Sequence, residues 1–287
     1  MRTEDVPAVE RLSSVAFHEL DSRTAARDEP EPTPRPEHRS ARWIRRTTHL
    51  LTTDPGGCWV SEDDTGLTGF AISFNRELMW ILASYGVRPG SQGQGIGREL
   101  LAAALQHGRG CLRGMLAASH DPKAVRRYHL AGFALHPQMV LRGPVPREVL
   151  PVVSKVRPGT AGDIDLMNSI DRSTRGAAHL TDHEVLLEQL RLVVSDSSTG
   201  SGYAYVDEDG SPFLLAATNR RTATLLLWEA LAGSSPEHAI EIDHVTAANA
   251  WAVDVGMTAR LALHTRGYLA VRGMKPPAPY LHHGSLL

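Results

Sequence analysis

Gly93, Gly95 and Gly97 alternate with Gln94 and Ile96 directly behind Gln92. Glycine has no Cβ, so an anion can come close to the main chain at these positions. If a helix opens at Gly95, its first N–H groups have no acceptor within the helix and the helix dipole is positive there. A phosphate could then be cradled by main chain alone. The plainer reading is a tight turn that uses its glycines only for geometry. A P-loop would need Lys and Ser/Thr behind the last glycine, where this chain has Arg98 and Glu99. A dinucleotide fingerprint would need G-x-G-x-x-G and an acidic residue roughly 20 residues on. Here the spacing is G-x-G-x-G, and the next apolar run closes at Ala117-Ala118-Ser119 without an acid.

The elements that must hold this turn are legible on either side. Ile81, Leu82, Ala83 and Val87 form a run expected of a strand buried on both faces, stopped by Pro89 and Gly90. Leu100, Leu101, Ala104 and Leu105 recur at helical spacing behind it. A second strand is expected over Leu112 to Ala118. A helix follows at Asp121-Pro122, with Asp as cap and Pro in the first turn.

The loop resembles the acyl-CoA loop of the GNAT superfamily of N-acetyltransferases, which reads Gln/Arg-x-x-Gly-x-Gly/Ala after a strand ending in Val-x-Pro. Gln92, Gly95 and Gly97 fill those positions behind Val87-Arg88-Pro89, and Tyr128-His129-Leu130-Ala131-Gly132-Phe133 matches the family's aromatic and Gly-Phe segment one βα unit later. The resemblance covers about Met1 to Gly143 and implies transfer of an acetyl group from acetyl-CoA to an amine. It implies that the main chain of Gln92, Gly93, Gln94, Gly95, Ile96 and Gly97, with Arg98, holds the pyrophosphate. Ser119 and Asp121 would touch the cofactor arm, and Arg127 would meet the cofactor with Lys123 and Arg126 beside it, unless these cations are merely solvated. The N–H of Val87 would receive the oxyanion. Tyr128 would be the general acid for the leaving thiolate, unless it is only a core aromatic.

The base is harder to find. The stretch from Met79 to Val87 holds no acid, and Glu77 lies at its outer end. His120 is of a residue type suited to proton transfer but reads as a solvated loop residue. The tail closes on Leu286-Leu287. Either it is a disordered end, or it docks on the first domain and brings the Leu287 carboxylate to the amine. His179 and His183 stand four apart around Asp182, which suits a metal pair, but they are expected to be surface histidines, with no metal bound.

The rest of the chain repeats the pattern without the glycines. Helices are expected at Pro7–His18 and Ser40–Thr52, a hairpin around Asp63-Asp64-Thr65-Gly66, and two short strands at Phe133–Leu135 and Met139–Leu141. Gly143 to Pro151 reads as a linker. Beyond it come a strand at Val152–Arg157, two helices with a capping box at Thr181-Asp182-His183-Glu184, a hairpin, a helix at Thr222–Ala232 and another βαββ ending. The turn in the cradle's place is Thr218-Asn219-Arg220-Arg221. The expected architecture is α+β, with two tandem GNAT-like domains, each a mixed, mostly antiparallel sheet flanked by helices. Their limits are 1–143 (catalytic), 144–151 (linker) and 152–287 (degenerate, with the tail). Mycothiol synthases are similar in layout, though their active copy is the second.

Composition narrows the partners. A formal net charge of -2 without a basic stripe argues against general nucleic-acid binding. Two cysteines, Cys58 and Cys111, make no disulfide framework. No apolar run approaches membrane length and the N-terminus lacks a signal core, so a cytoplasmic monomer or homodimer is expected. The acceptor would be an amine-bearing small molecule or peptide. Asp28, Glu29, Glu31 and Glu37, set among Pro30, Pro32, Pro34 and Pro36, make an acidic loop that would suit a cationic amine or be simply solvated. The rival functions are a non-catalytic acyl-CoA sensor or tandem pseudoenzyme and, less compatible with the glycine spacing, a nucleotide-dependent oxidoreductase.

Overall fold

The computed structural model describes residues 1–25 and 31–287. Asp28, Glu29 and Pro30 of the acidic loop lie outside the described residues, while Glu31 and Glu37 are exposed. One order of elements occurs twice. The first set is α1 (Val6–Thr24), α2 (Glu37–Thr53), β1 (Cys58–Asp63), β2 (Gly66–Arg76), β3 (Met79–Val87), α3 (Ile96–His107), β4 (Arg113–Ala118), α4 (Pro122–Leu130) and β5 (Ala134–Gly143). After a short β6 (Arg157–Pro158) come α5 (Ile164–Thr174), α6 (Asp182–Gln189), β7 (Arg191–Ser197), β8 (Gly200–Val206), β9 (Pro212–Ala217), α7 (Arg220–Ala232), β10 (Ile240–Thr246), α8 (Ala250–Thr258), β11 (Ala262–Arg272) and β12 (Tyr280–Leu281). The protein is α+β, with a seven-stranded mixed sheet in the order β1-β2-β3-β4-β11-β5-β10 and a five-stranded antiparallel sheet β12-β9-β8-β7-β6.

The two repeats exchange their last strands. β11 pairs with β4 of the first repeat, and β5 pairs with β10 of the second, while β5 and β11 pair with each other. Each repeat's ending is therefore one long strand, not the two short ones that the sequence suggests. Pro137 sits opposite Tyr268 where β11 carries a bulge between Thr265 and Tyr268. A proline is tolerated where the ladder is already interrupted. Two further expectations fail locally. The strand at Val152–Arg157 shrinks to β6, with Val152 99% exposed. Thr181 adopts a helical φ of -65° and its side chain caps nothing, so the capping box does not form.

The residue after Thr181 explains that failure. Asp182 is turned inward, where Arg76 reaches it at 2.8 and 2.5 Å and His49 at 2.8 Å. Arg76 also holds Asp54 at 2.8 Å. Burial opposes ionisation of Asp182, yet His49 and Arg76 hold its pKa below the usual carboxylate value. A lowered folded pKa adds stability that is present above the unfolded value near 3.8 and is lost as pH falls through the folded one. Arg76→Leu strands this carboxylate in the core, and we expect a loss of about 3–5 kcal/mol at pH 7. The deficit should shrink near pH 4, where protonation relieves the charge. Denaturant melts of both proteins at the two pH values measure it.

β3 positions the site. Met79, Ile81 and Ala83 face one apolar cluster, with Phe70, Leu269, Leu286 and Leu287, while Trp80 and Leu82 face another, with Leu101, Tyr128 and Phe133. β3 runs parallel to β4 from Met79↔Arg113 only as far as Leu82↔Leu116. At that point its register against β2 jumps, Ser73↔Leu82 giving way to Ile72↔Ser84, so Ala83 is a bulge. A bulge bends its strand. β3 leaves β4 there, and a slot opens between the two.

Candidate functional site

The slot has donors along one edge. The N–H of Arg88 donates to the Thr68 carbonyl on the β2 side at 2.8 Å. Successive strand N–H groups point to opposite edges. Those of Val87 and Tyr85 therefore face away from β2, into the slot, beyond the last pair with β4.

The glycine loop closes the end of this slot. Gly93 and Gly95 have φ of 89° and 94°, left-handed conformations that β-carbon-bearing residues avoid. A Cβ on Gly93 would meet nothing within 4 Å, so the loop's main chain is bare on that side. Gly95 is the N-cap of α3 and no side chain caps that helix. The N–H groups of Gly93, Gly95, Ile96 and Gly97 find no acceptor among the described residues. Gly97 is required for a different reason. The Tyr85 hydroxyl donates to its carbonyl at 2.7 Å, and a Cβ there would lie 2.3 Å from that hydroxyl. Tyr85 thus pins the cradle helix to β3, a role the sequence does not reveal.

Beneath the cradle lies Tyr128 on α4, 5% exposed, its ring edge-on to Tyr85 with centroids 6.3 Å apart. Its hydroxyl makes no hydrogen bond among the described residues, nor is it one of the enclosed unpartnered atoms, so it opens to the surface. Burial, with Tyr85 and Asp121 adding to it, pushes its pKa up, and Arg127 opposes the shift. Arg127 presents an enclosed Nη1 with no partner. An orphaned guanidinium nitrogen costs stability unless something anionic meets it. Bare glycines, free N–H groups and an orphaned cation on neighbouring elements make a site that fits the phosphates of a CoA thioester.

The other expected residues are placed less uniformly. Asp121 caps α4 by accepting the Lys123 N–H at 2.8 Å and meets Arg23 at 3.3 Å, while Ser119 accepts the Asp121 N–H at 3.4 Å. Both side chains are engaged in shaping the β4–α4 turn. Arg98 is exposed on the first turn of α3. His120 accepts the Gly267 N–H through Nε2 at 3.0 Å, which leaves its basic nitrogen engaged. Glu77 is held by Arg172 at 2.7 Å. Leu287 is fully buried in the apolar cluster on the face of β3 opposite Tyr128. Its main-chain oxygen accepts from Arg175, a residue that is itself 2% exposed.

The second repeat answers the first at the same place. By order β9 corresponds to β3, and one edge of β9 pairs with β8. The other edge, where the first repeat has its slot, is filled by the tail: Tyr280 pairs with Ala216 and Leu281 with Leu215. The Ala217 N–H donates to the Pro279 carbonyl at 3.3 Å. Asn249 accepts the Tyr280 N–H at 2.9 Å and donates to the Pro277 carbonyl at 3.0 Å. Asn219 caps α7 with its side chain where the first repeat has a bare glycine. His179 and His183, expected at the surface, are both 0% exposed.

These features belong to an α+β fold built of two like repeats. Residues 17–137 match the family model described as acetyltransferase (GNAT) family. No curated protein sequence matches the chain. Among solved structures, a putative acetyltransferase from Pyrococcus horikoshii shares 17% identity with a TM-score of 0.74, covering 100% of this chain and 93% of that one. A GCN5-related N-acetyltransferase from Sphaerobacter thermophilus shares 15% identity at a TM-score of 0.59, covering 95% and 93%. One from Kribbella flavida shares 14% at 0.57, covering 94% and 69%. At these identities the likeness is one of fold, and it runs over both repeats. No helix among the described residues is long and apolar enough to cross a membrane.

Proposed function

We propose that the first repeat, residues 1–143, transfers the acetyl group of acetyl-CoA directly to a primary amine, and that the second, residues 152–287, binds no acetyl-CoA. One contrast carries this reading: the slot beside β3 ends in a bare glycine cradle, while the slot beside β9 is filled by the chain's own tail. In this reaction the amine nitrogen attacks the thioester carbonyl, a C–N bond forms, the C–S bond breaks and the thiolate takes a proton. The Val87 N–H receives the developing oxyanion, and main-chain donors preorganised in this way are worth several kcal/mol, about 10²–10³ in rate. Tyr128 supplies the proton to sulfur. The amine must lose a proton to attack, and Leu287, fully buried and bonded to Arg175, is closed off from it, so the proton leaves to water.

The absence of an acid along β3 favours a second reading, an acyl-CoA sensor without turnover. Two measurements separate the readings. Calorimetry should count one acetyl-CoA per chain, and thiol release should appear with at least one member of a panel of amines, amino sugars and peptides. Tight binding with no thiol released across the panel would establish the sensor. Two cofactors per chain would refute the inert second slot.

A further inference from the structure

We propose that Asp171, His179 and His183 form a binding site for a divalent transition-metal ion of the zinc class, buried in the second repeat. The site is independent of the acetyl-CoA slot. Asp171 stands on α5, His183 on α6 and His179 on the connection between them, and all three are 0% exposed. Their donor atoms converge on one point. Asp171 Oδ2 lies 2.7 Å from His179 Nδ1 and 3.2 Å from His183 Nε2. All three atoms lie within 4.8 Å of one another. Around an ion with bonds of about 2.1 Å, neighbouring ligands of an octahedral face stand about 3.0 Å apart and tetrahedral ones about 3.4 Å. The two edges from Asp171 Oδ2, 2.7 and 3.2 Å, bracket the octahedral spacing. Two imidazoles and one carboxylate, with no sulfur, suit zinc and its borderline neighbours rather than calcium or copper(I).

The groups behind the donors are those a metal site needs. A metal-bound histidine uses its second nitrogen to bond an outer partner, which fixes the ring. His183 Nδ1 meets the Tyr205 hydroxyl at 3.2 Å, and His179 Nε2 meets the Tyr280 hydroxyl at 3.4 Å. The free carboxylate oxygen, Asp171 Oδ1, accepts from Tyr203 at 2.5 Å. The outer imidazole nitrogens have a partner in both states. Without an ion the imidazoles donate to Oδ2 and accept from the tyrosines; with an ion their protons move to the outer nitrogens and are donated to the tyrosine oxygens. Arg175 is the nearby cation, and its guanidinium is turned on to the main-chain oxygens of Ala177, Ala178, Leu286 and Leu287. Full enclosure makes the site structural. An ion here would tie α5 and α6 to β8 through Tyr203 and Tyr205, and to the tail through Tyr280.

The test uses the whole chain, expressed with zinc in the medium and purified without an affinity tag. Elemental analysis should find about one zinc per chain, and stripping it with a chelator should lower the melting temperature. Cobalt(II) added to stripped protein should give visible absorption. Asp171→Asn, nearly isosteric, should carry no zinc while its circular dichroism stays that of the wild type. Tyr205→Phe keeps the ligands and should weaken zinc binding by about 10–100-fold. Metal-free protein from zinc-supplemented cells, with a melting temperature indifferent to zinc and no cobalt absorption, would overturn the proposal. So would an Asp171→Asn protein that retains its zinc.

Discussion

Gly95→Val should weaken acetyl-CoA binding by more than about 100-fold while leaving the protein folded. Gly95 has a φ of 94° and caps α3 through main chain alone. Valine in that conformation costs about 1–3 kcal/mol of strain, a modest toll on a chain of 287 residues. Its main effect is on the ligand side. The N–H groups of Gly93, Gly95, Ile96 and Gly97 have no acceptor among the described residues, and the valine methyls would stand where a phosphate must approach them. The resulting loss combines several charge-assisted hydrogen bonds with the attraction of the helix dipole. Gly110→Ala is the control. It has open space, no left-handed φ and no place in the cradle. It should bind acetyl-CoA as the wild type does. Calorimetric affinities, read beside melting temperatures, separate ligand loss from unfolding. Normal binding by Gly95→Val would refute the cradle.

The cradle was legible in the sequence because its determinants are local. Alternating glycines, a stop at Pro89-Gly90 and a helical apolar stripe all lie within a few turns of chain, and each has one physical use. Tyr128 was legible only through the spacing to Gly132 and Phe133. What depends on distant pairing was not legible. β5 and β11 each look like a repeat's own ending, and nothing in their side chains says that they trade partners; only the sheet order does so. The tail reads as a proline-rich end, yet two of its residues complete a strand pair with β9 and its last two are fully buried. The missing glycines at Thr218–Arg221 were visible, but not that the slot beside them is filled. His179 and His183 read as surface residues because their polar neighbours hide the partner that buries them, Asp171, which lies one helix upstream. Tyr85 gave no signal at all, since its use depends on the Ala83 bulge, which turns its ring on to the α3 face.

Tyr128→Phe should lower kcat by about 100-fold, within the range for losing a positioned general acid, with the affinity for CoA unchanged. The substitution removes one oxygen that has no hydrogen bond among the described residues, so it leaves neither a cavity nor an orphaned partner, and stability should barely move. The raised pKa of Tyr128 bears on its fitness as an acid. Burial keeps the phenol protonated, so it carries a proton throughout the neutral and mildly alkaline range, and no alkaline limb of the rate profile below pH 10 should belong to it. A phenol with a raised pKa is a poor donor to a thiolate in water, where the thiol pKa is about 8.5. In the slot, however, the thiolate would be as poorly solvated as the phenolate. Desolvation raises both pKa values, and proton transfer depends on their difference. The enclosed environment that weakens Tyr128 as an acid therefore strengthens the thiolate as its base. If Tyr128→Phe turns over at the wild-type rate, the proton comes from water. If CoA affinity collapses with kcat, Tyr128 is only a wall of the slot. A selective loss in kcat, with an unchanged acidic limb, is the signature that only proton donation leaves.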